Sequence, residues 1–231
     1  MAIIDQSAVQ SPVVVTPAPS TRPGSLITAP TCPASVVEAY HTLLTNVDLA
    51  LGANEGRVVV VAAVDASADA SIVAANLALV SAQGGDRTLL IDGDLHNAAL
   101  GDLLGLKATP GLAQLLDGGQ GGGDLRELAQ PTELPTLGVV TAGIVGGRHN
   151  RLDRLGDLSP VVSRLKDAAD RVIVTAAPVL SSTDVLRLAP LIDGILLAIT
   201  PGRTRREDAV RARTLLDRAQ APVLGVALVP R

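Results

Sequence analysis

The chain has 231 residues, enough for one large domain or two small ones, and 47% of them are apolar, which is ample for a core. Phe and Trp are absent and Tyr40 is the single aromatic residue, so Leu, Val, Ile and Ala must do the packing; such small branched side chains suit a parallel sheet covered by helices. A net charge of -4 without a basic tract gives no reason to expect nucleic acid or an anionic membrane as partner, and the lone Cys32 excludes a disulfide framework or a cysteine metal cluster.

Residues 1–33 carry Pro12, Pro17, Pro19, Pro23, Pro30 and Pro33 among Ser, Thr and Ala. This composition predicts an extended, mobile tail, with a docking arm as the alternative. Asp5 comes early and no basic region precedes an apolar core, so the start does not read as a signal peptide. One domain is expected behind it, over 34–231. Ala34 to Leu51 has helical spacing, with Val37, Tyr40, Leu44, Val47 and Leu51 on one stripe. Arg57 to Val64 reads as the first core strand and Ser71 to Gln83 as a helix stopped by Gly84-Gly85. Thr88 to Ile91 is a second buried strand, ending at Asp92-Gly93-Asp94. Short helices are expected over 96–104, 110–117 and 124–130. The glycine-rich run 118–123 follows a helix rather than a strand, so it reads as a flexible loop and not as a phosphate cradle.

Leu137 to Thr141 is a third strand, 143–150 a loop and 152–169 a helix. Arg171 to Thr175, Gly194 to Thr200 and Pro222 to Val229 read as strands, separated by helices over 183–189 and 205–219. Mean hydropathy is +0.37, yet Leu186 to Thr200 is interrupted by Arg187, Pro190 and Asp193. No run approaches the roughly 18 to 20 apolar residues that span a bilayer, so direct membrane insertion is not expected. Strands alternating with helices imply a parallel sheet with right-handed crossovers.

The chemistry should lie where the first strand meets its helix, the place where a nucleotide-binding protein puts its phosphate loop. Such a loop needs glycines, so that backbone N–H groups can approach the phosphates, and a lysine to neutralise their charge. Ala62 to Ile72 reads AAVDASADASI, with neither glycine nor lysine but two aspartates, Asp65 and Asp69. Asp92 and Asp94 end the next strand, where open α/β sheets hold ligands. They form either a residual metal or ligand site or a turn capping the next helix. His41, His96 and His149 show no metal spacing, and no metal site is expected. Arg203, Arg205 and Arg206 open the penultimate element, as a solvated basic face or as a holder for an anionic partner.

The order of these segments resembles bacterial tyrosine kinases of the capsule and exopolysaccharide type, and more widely the deviant-Walker ATPases that partition chromosomes and place division sites. The resemblance is carried by Glu38 to Asn46 (EAYHTLLTN), Val73 to Ala78, Leu89 to Leu95 (LLIDGDL, close to a family LLIDADLR), Pro178-Val179-Leu180, Thr183-Asp184, Leu188 to Gly194 and Gly202 to Arg206. It covers roughly 34–229. It implies a three-layer α/β fold of the P-loop NTPase (Rossmann-like) type, a parallel sheet with helices on both faces. It also implies binding of ATP and magnesium and phosphate transfer to tyrosine.

Placed on the family's motif, the phosphate-loop lysine falls on Ala70, the preceding glycine on Asp69 and an earlier glycine on Ser67. Ser71 keeps the magnesium-binding hydroxyl, and Asp92 and Asp94 keep the second acidic motif. The third motif's aspartate falls on Thr175. In the leading helix Glu38 stays, but the two arginines of the family's ring contact fall on His41 and Leu44. Like charges about 4 Å apart cost on the order of 1 to 4 kcal/mol, so Asp69 would oppose a phosphate that no local cation neutralises. Glycine-type backbone angles in other residues cost roughly 1 kcal/mol or more each.

The resulting expectation is a non-catalytic, pseudokinase-like interaction or scaffold protein without a nucleotide cofactor, in self-assembly or in cell-surface polysaccharide biosynthesis. Its partner would be a second copy, an active paralogue or a polysaccharide co-polymerase. Its place would be the cytoplasm, at the inner membrane face through that partner. The alternative is a weak ATPase or tyrosine kinase using Ser71, Asp92 and Asp94.

Overall fold

The computed structural model describes residues 13–15, 26–52, 57–117, 125–144 and 159–229. Its strands are β1 (Val13–Val15), β2 (Arg57–Ala63), β3 (Thr88–Asp92), β4 (Gln130–Pro131), β5 (Leu137–Val140), β6 (Arg171–Ala176), β7 (Gly194–Ile199) and β8 (Val223–Leu228). Its helices are α1 (Ala34–Leu51), α2 (Ala70–Gln83), α3 (Leu100–Leu104), α4 (Leu112–Asp117), α5 (Leu125–Leu128), α6 (Ser159–Ala168), α7 (Asp184–Leu188) and α8 (Arg206–Arg218). The strands form one sheet in the order β1-β8-β7-β2-β6-β3-β5-β4. Every pairing is parallel except β4 with β5.

The sheet is buried on both faces, which explains the unbroken apolar run in β2. Val58, Val60 and Ala62 point into one core, and Val59, Val61 and Ala63 into the other. The second core is closed by α2 and α1. Helix α2 is buried from Ala70 to Ala82, all the way round, because it lies between the sheet and α1. Ala74, Ala75 and Ala78 keep its packed faces flat.

Helix α1 covers α2 with Val36, Tyr40, Leu43 and Val47. The buried stripe is therefore turned slightly from the expected one, and Val37, Leu44 and Leu51 flank it half-buried. Both sets have helical spacing, and the observed one runs i, i+4, i+7, i+11.

Several boundaries move. Helix α3 begins at Leu100 rather than 96, because 94–97 is a turn held by Asp94. Strand β4, two residues with a proline, was not expected; it closes the sheet edge antiparallel to β5. The glycine run 118–123, the 152–158 half of the sixth helix, most of the 143–150 loop and His149 lie outside the described residues.

Two pieces of the proline-rich segment, expected to be extended and mobile, are held against the domain. Val13–Val15 pairs parallel with β8, in register with Gly225 to Ala227. Ile27 is buried, and its N–H donates to Asn76 Oδ1 at 2.8 Å. Val13-Val14-Val15 is the one β-branched run between Pro12 and Pro17, and the sheet's edge is where a proline-bounded strand is tolerated.

At the opposite end of the strands from the site, Arg171 is 4% exposed. It donates to Ser81 Oγ at 2.9 Å and pairs with Asp48 at 2.8 Å and Asp86 at 3.3 Å, tying α1 and α2 to β6.

Candidate functional site

The carboxyl ends of β2, β3 and β6 open into a cleft of about 650 Å³. Ser67, Asp69, Ala70 and Ser71 line it from one side and Asp94 from another, so five of the six residues placed on the phosphate-loop and second acidic motifs meet there. Asp92 does not reach it. His96, Asn97, Ser181 and Ser182 also line the cleft. Those four carry no motif, and only their place after β3 and β6 could have marked them.

The β2–α2 loop is held by its own aspartates. Asp69 is the N-cap of α2, and its Oδ1 accepts the N–H of Ser71 at 3.0 Å and of Ile72 at 3.3 Å. These are the unpaired donors that a helix start would otherwise turn toward an anion. Asp65 Oδ1 accepts the Ser67 N–H at 2.7 Å, closing a local turn. The Asp69 cap contributes about 1 kcal/mol to α2. Ser71 is 8% exposed and lines the cleft, and its hydroxyl has no partner among the described residues.

The loop is also tied to the segment that follows β7, the strand paired with β2. Thr200 Oγ1 donates to the Ser67 carbonyl at 2.9 Å, and Ser67 Oγ lies 3.0 Å from Thr204 Oγ1. Thr204 Oγ1 accepts the Thr200 N–H at 3.1 Å. This threonine clamp escaped the sequence reading, because nothing in the order of residues pairs Ser67 with Thr204. It sets the exposed Arg203, Arg205 and Arg206 beside the loop.

Asp92 is fully buried beneath the cleft floor. Its Oδ2 accepts the N–H groups of Ala99 and Leu100, both at 3.0 Å, and its Oδ1 accepts the Thr175 hydroxyl at 2.9 Å. Burial pushes its carboxyl above the usual range, against the pull of those three donors. Thr175 Oγ1 in turn accepts the Gly93 N–H at 3.2 Å. A Cβ at Gly93 would stand 2.5 Å from the Thr175 carbonyl oxygen, so the β3–β6 contact requires glycine there. Asp94 Oδ1 accepts the N–H of His96 and of Asn97, both at 3.1 Å. Among the described residues no cluster of His, Cys, Asp and Glu has the form of a metal site.

No family model matches the chain. Among curated proteins it is 29% identical to tyrosine-protein kinase YwqD of Bacillus subtilis, over 81% of this chain and 78% of that protein. It is 26% identical to tyrosine-protein kinase CpsD of Streptococcus agalactiae, over 83% and 82%. Its likeness to the succinoglycan biosynthesis transport protein ExoP of Rhizobium meliloti is 29% over 83% of this chain but 24% of that protein. The chain is a homologue of bacterial tyrosine kinases.

The fold agrees. The kinase domain of Escherichia coli tyrosine kinase ETK superposes with a TM-score of 0.77 at 24% identity, covering 85% of this chain and 77% of that one. The septum site-determining protein MinD of Pyrococcus horikoshii, complexed with Mg-ADP, gives 0.62 at 20%, covering 74% and 69%. The architecture is thus a three-layer α/β fold of the P-loop ATPase type. In α1, Glu38 and His41 are exposed, whereas Leu44 packs half-buried against the core.

Proposed function

We propose that the chain is a non-catalytic relative of these kinases, an interaction or scaffold protein whose cleft does not take magnesium–ATP. The observation that carries this reading is Asp69. Its carboxylate occupies the two α2 donors, Ser71 N–H and Ile72 N–H, that a bound phosphate would need. A triphosphate would have to displace that carboxylate or lie beside it, and both are unfavourable. Nor do the described residues of the cleft supply a lysine or arginine. Among the described residues its lining holds Asp69, Asp94 and His96 as ionisable residues. The residues present therefore do not fit a magnesium–triphosphate group, and no catalytic step is assigned to Ser71, Asp92 or Asp94.

Phosphoryl transfer rests on positioning and on charge stabilisation, so losing those parts removes rate as well as affinity. Asp92 is directed to α3 and Thr175 and serves the β3–β6 junction. The kinship with ExoP, named for succinoglycan biosynthesis and transport, supports a place in cell-surface polysaccharide biosynthesis. The working partner is then a protein: a second copy, an active paralogue or a membrane-bound polysaccharide co-polymerase. Among the described residues no helix is long and apolar enough to cross a membrane, and the reading places the chain in the cytoplasm, at the inner membrane face through that partner.

Radiolabelled ATP tests the reading. The expected outcome is neither transfer of label to protein nor release of phosphate above a no-protein control. Phosphate release by the wild type that Asp92→Asn abolishes, without loss of fold, would establish the enzyme reading instead.

A further inference from the structure

We propose that the β8 edge of the sheet is a strand-addition site, and that a second copy of this chain fills it with its own Val13–Val15. Exchange of this strand gives a surface to one of the partners named above, a second copy, and rests on that part of the reading.

The two edges of the sheet are guarded differently. At one edge β4 is two residues long, contains Pro131 and runs antiparallel to β5. A short edge strand with a proline is a poor template for a further strand. Beneath the other edge β8 reads Val-Leu-Gly-Val-Ala-Leu, with neither a charge nor a proline. Nothing in its own sequence opposes strand addition. What covers it is β1, three residues long, parallel to it and in register with Gly225 to Ala227. β1 also lies beside α1.

The cover is slight. A three-residue strand is held by few ladder bonds, and such units open at free energies far below that of global unfolding. The next described anchor is Ile27, whose N–H donates to Asn76 Oδ1 on α2 at 2.8 Å. Positions 16–25 join β1 to the residues of that anchor, and Pro17, Pro19 and Pro23 fix φ at three of them. A segment of that length spans up to about 35 Å. It can carry β1 to the edge of a neighbouring molecule while Ile27 stays on its own α2. In trans Val13–Val15 finds the same register as in cis, so exchange loses no pairing and the joining segment sets the balance. Its proline content opposes doubling back and weights that balance toward exchange. Two copies can exchange reciprocally, and the second pairing is then intramolecular. The occupant is a second copy because Val13–Val15 is the segment that this edge is seen to accept, in a defined direction and register.

Mixing two single-cysteine chains tests this, both in a Cys32→Ser background. One carries Val14→Cys and the other Val226→Cys, at the Cα partner of position 14. They are mixed at about 1 mM, the effective concentration that a short linker provides in cis, and treated with a short bis-maleimide. The expected product is a covalent heterodimer. Its yield should be at least about tenfold above that with Gln83→Cys, exposed at the end of α2, in place of Val226→Cys. One chain carrying both Val14→Cys and Val226→Cys should cross-link within itself when dilute. A mixture that stays at the Gln83→Cys level overturns the exchange, and a double variant that does not close overturns the pairing on which it stands. Sedimentation equilibrium gives a second readout with no cysteine change. The wild type should approach twice the monomer mass at the same concentration, and the chain lacking residues 1–16 should not. A wild type that remains monomeric, or a shortened chain that associates as strongly, overturns the proposal. Nucleotide enters neither readout, so failure here leaves the non-catalytic reading standing, whereas ATP binding overturns that reading and leaves the exchange.

Discussion

Restoring two glycines and the lysine makes the chain respond to magnesium–ATP. The variant Ser67→Gly/Asp69→Gly/Ala70→Lys is expected to gain a magnesium-dependent rise in melting temperature of about 5 to 10 °C. That follows from about 2.7 kcal/mol of linkage at a hundredfold excess of ligand over Kd, and about 2 to 4 °C per kcal/mol for a domain of this size. Glycine at 69 frees the N–H groups of Ser71 and Ile72 and removes a negative charge. Lysine at 70 stands at the first position of α2 and faces the cleft. The loss of the Asp69 side-chain cap costs a few tenths of a kcal/mol when glycine replaces it. Differential scanning fluorimetry with ATP, with and without magnesium, reads the result. If the variant folds and shows no shift, the loop is not what keeps nucleotide out.

The second large effect concerns Asp92. Asp92→Ala leaves the N–H groups of Ala99 and Leu100 and the Thr175 hydroxyl without their acceptor in a fully buried site. The expected loss is roughly 2 to 4 kcal/mol in urea denaturation. Asp92→Asn keeps an acceptor for the two N–H groups and should lose less. The pH dependence follows from the raised carboxyl. A group whose pKa is higher folded than unfolded binds its proton more tightly in the native state. Its favourable contribution is present below the ordinary carboxylate range and is lost as pH rises through the raised value. The wild type should therefore lose stability relative to Asp92→Asn as pH is raised through that window. An Asp92→Ala variant as stable as the wild type would show that the carboxylate does not hold α3 to β6.

How much of this was legible in the sequence depends on whether the cause is local. The parallel sheet follows from the fully apolar β2 and β3, and the family order of motifs located the loop, Asp92 and Asp94. The capping by Asp69 was not read: the sequence shows Asp65 and Asp69 in a loop expected to carry glycines, the latter at a glycine position, but not that each closes a turn on its own loop. The reason is geometric. A carboxylate two residues before an N–H can cap it or turn away, and the choice depends on the φ/ψ of the residue between. Asp92 and Asp94 were open between ligand site and cap for the same reason. Contacts distant in sequence were out of reach altogether. Thr204 to Ser67 spans 137 positions, and Ile27 to Asn76 spans 49. Val13–Val15 was absorbed into a proline-rich composition that reads as a tail, because a three-residue edge strand has too little period to register.

The most direct test of the central claim is an isothermal titration of the wild-type chain with magnesium–ATP at millimolar concentration. A cleft whose helix donors are held by Asp69 and whose described lining residues include no lysine or arginine gives no heat above dilution. A saturable, magnesium-dependent heat with a stoichiometry near one nucleotide per chain would contradict the account.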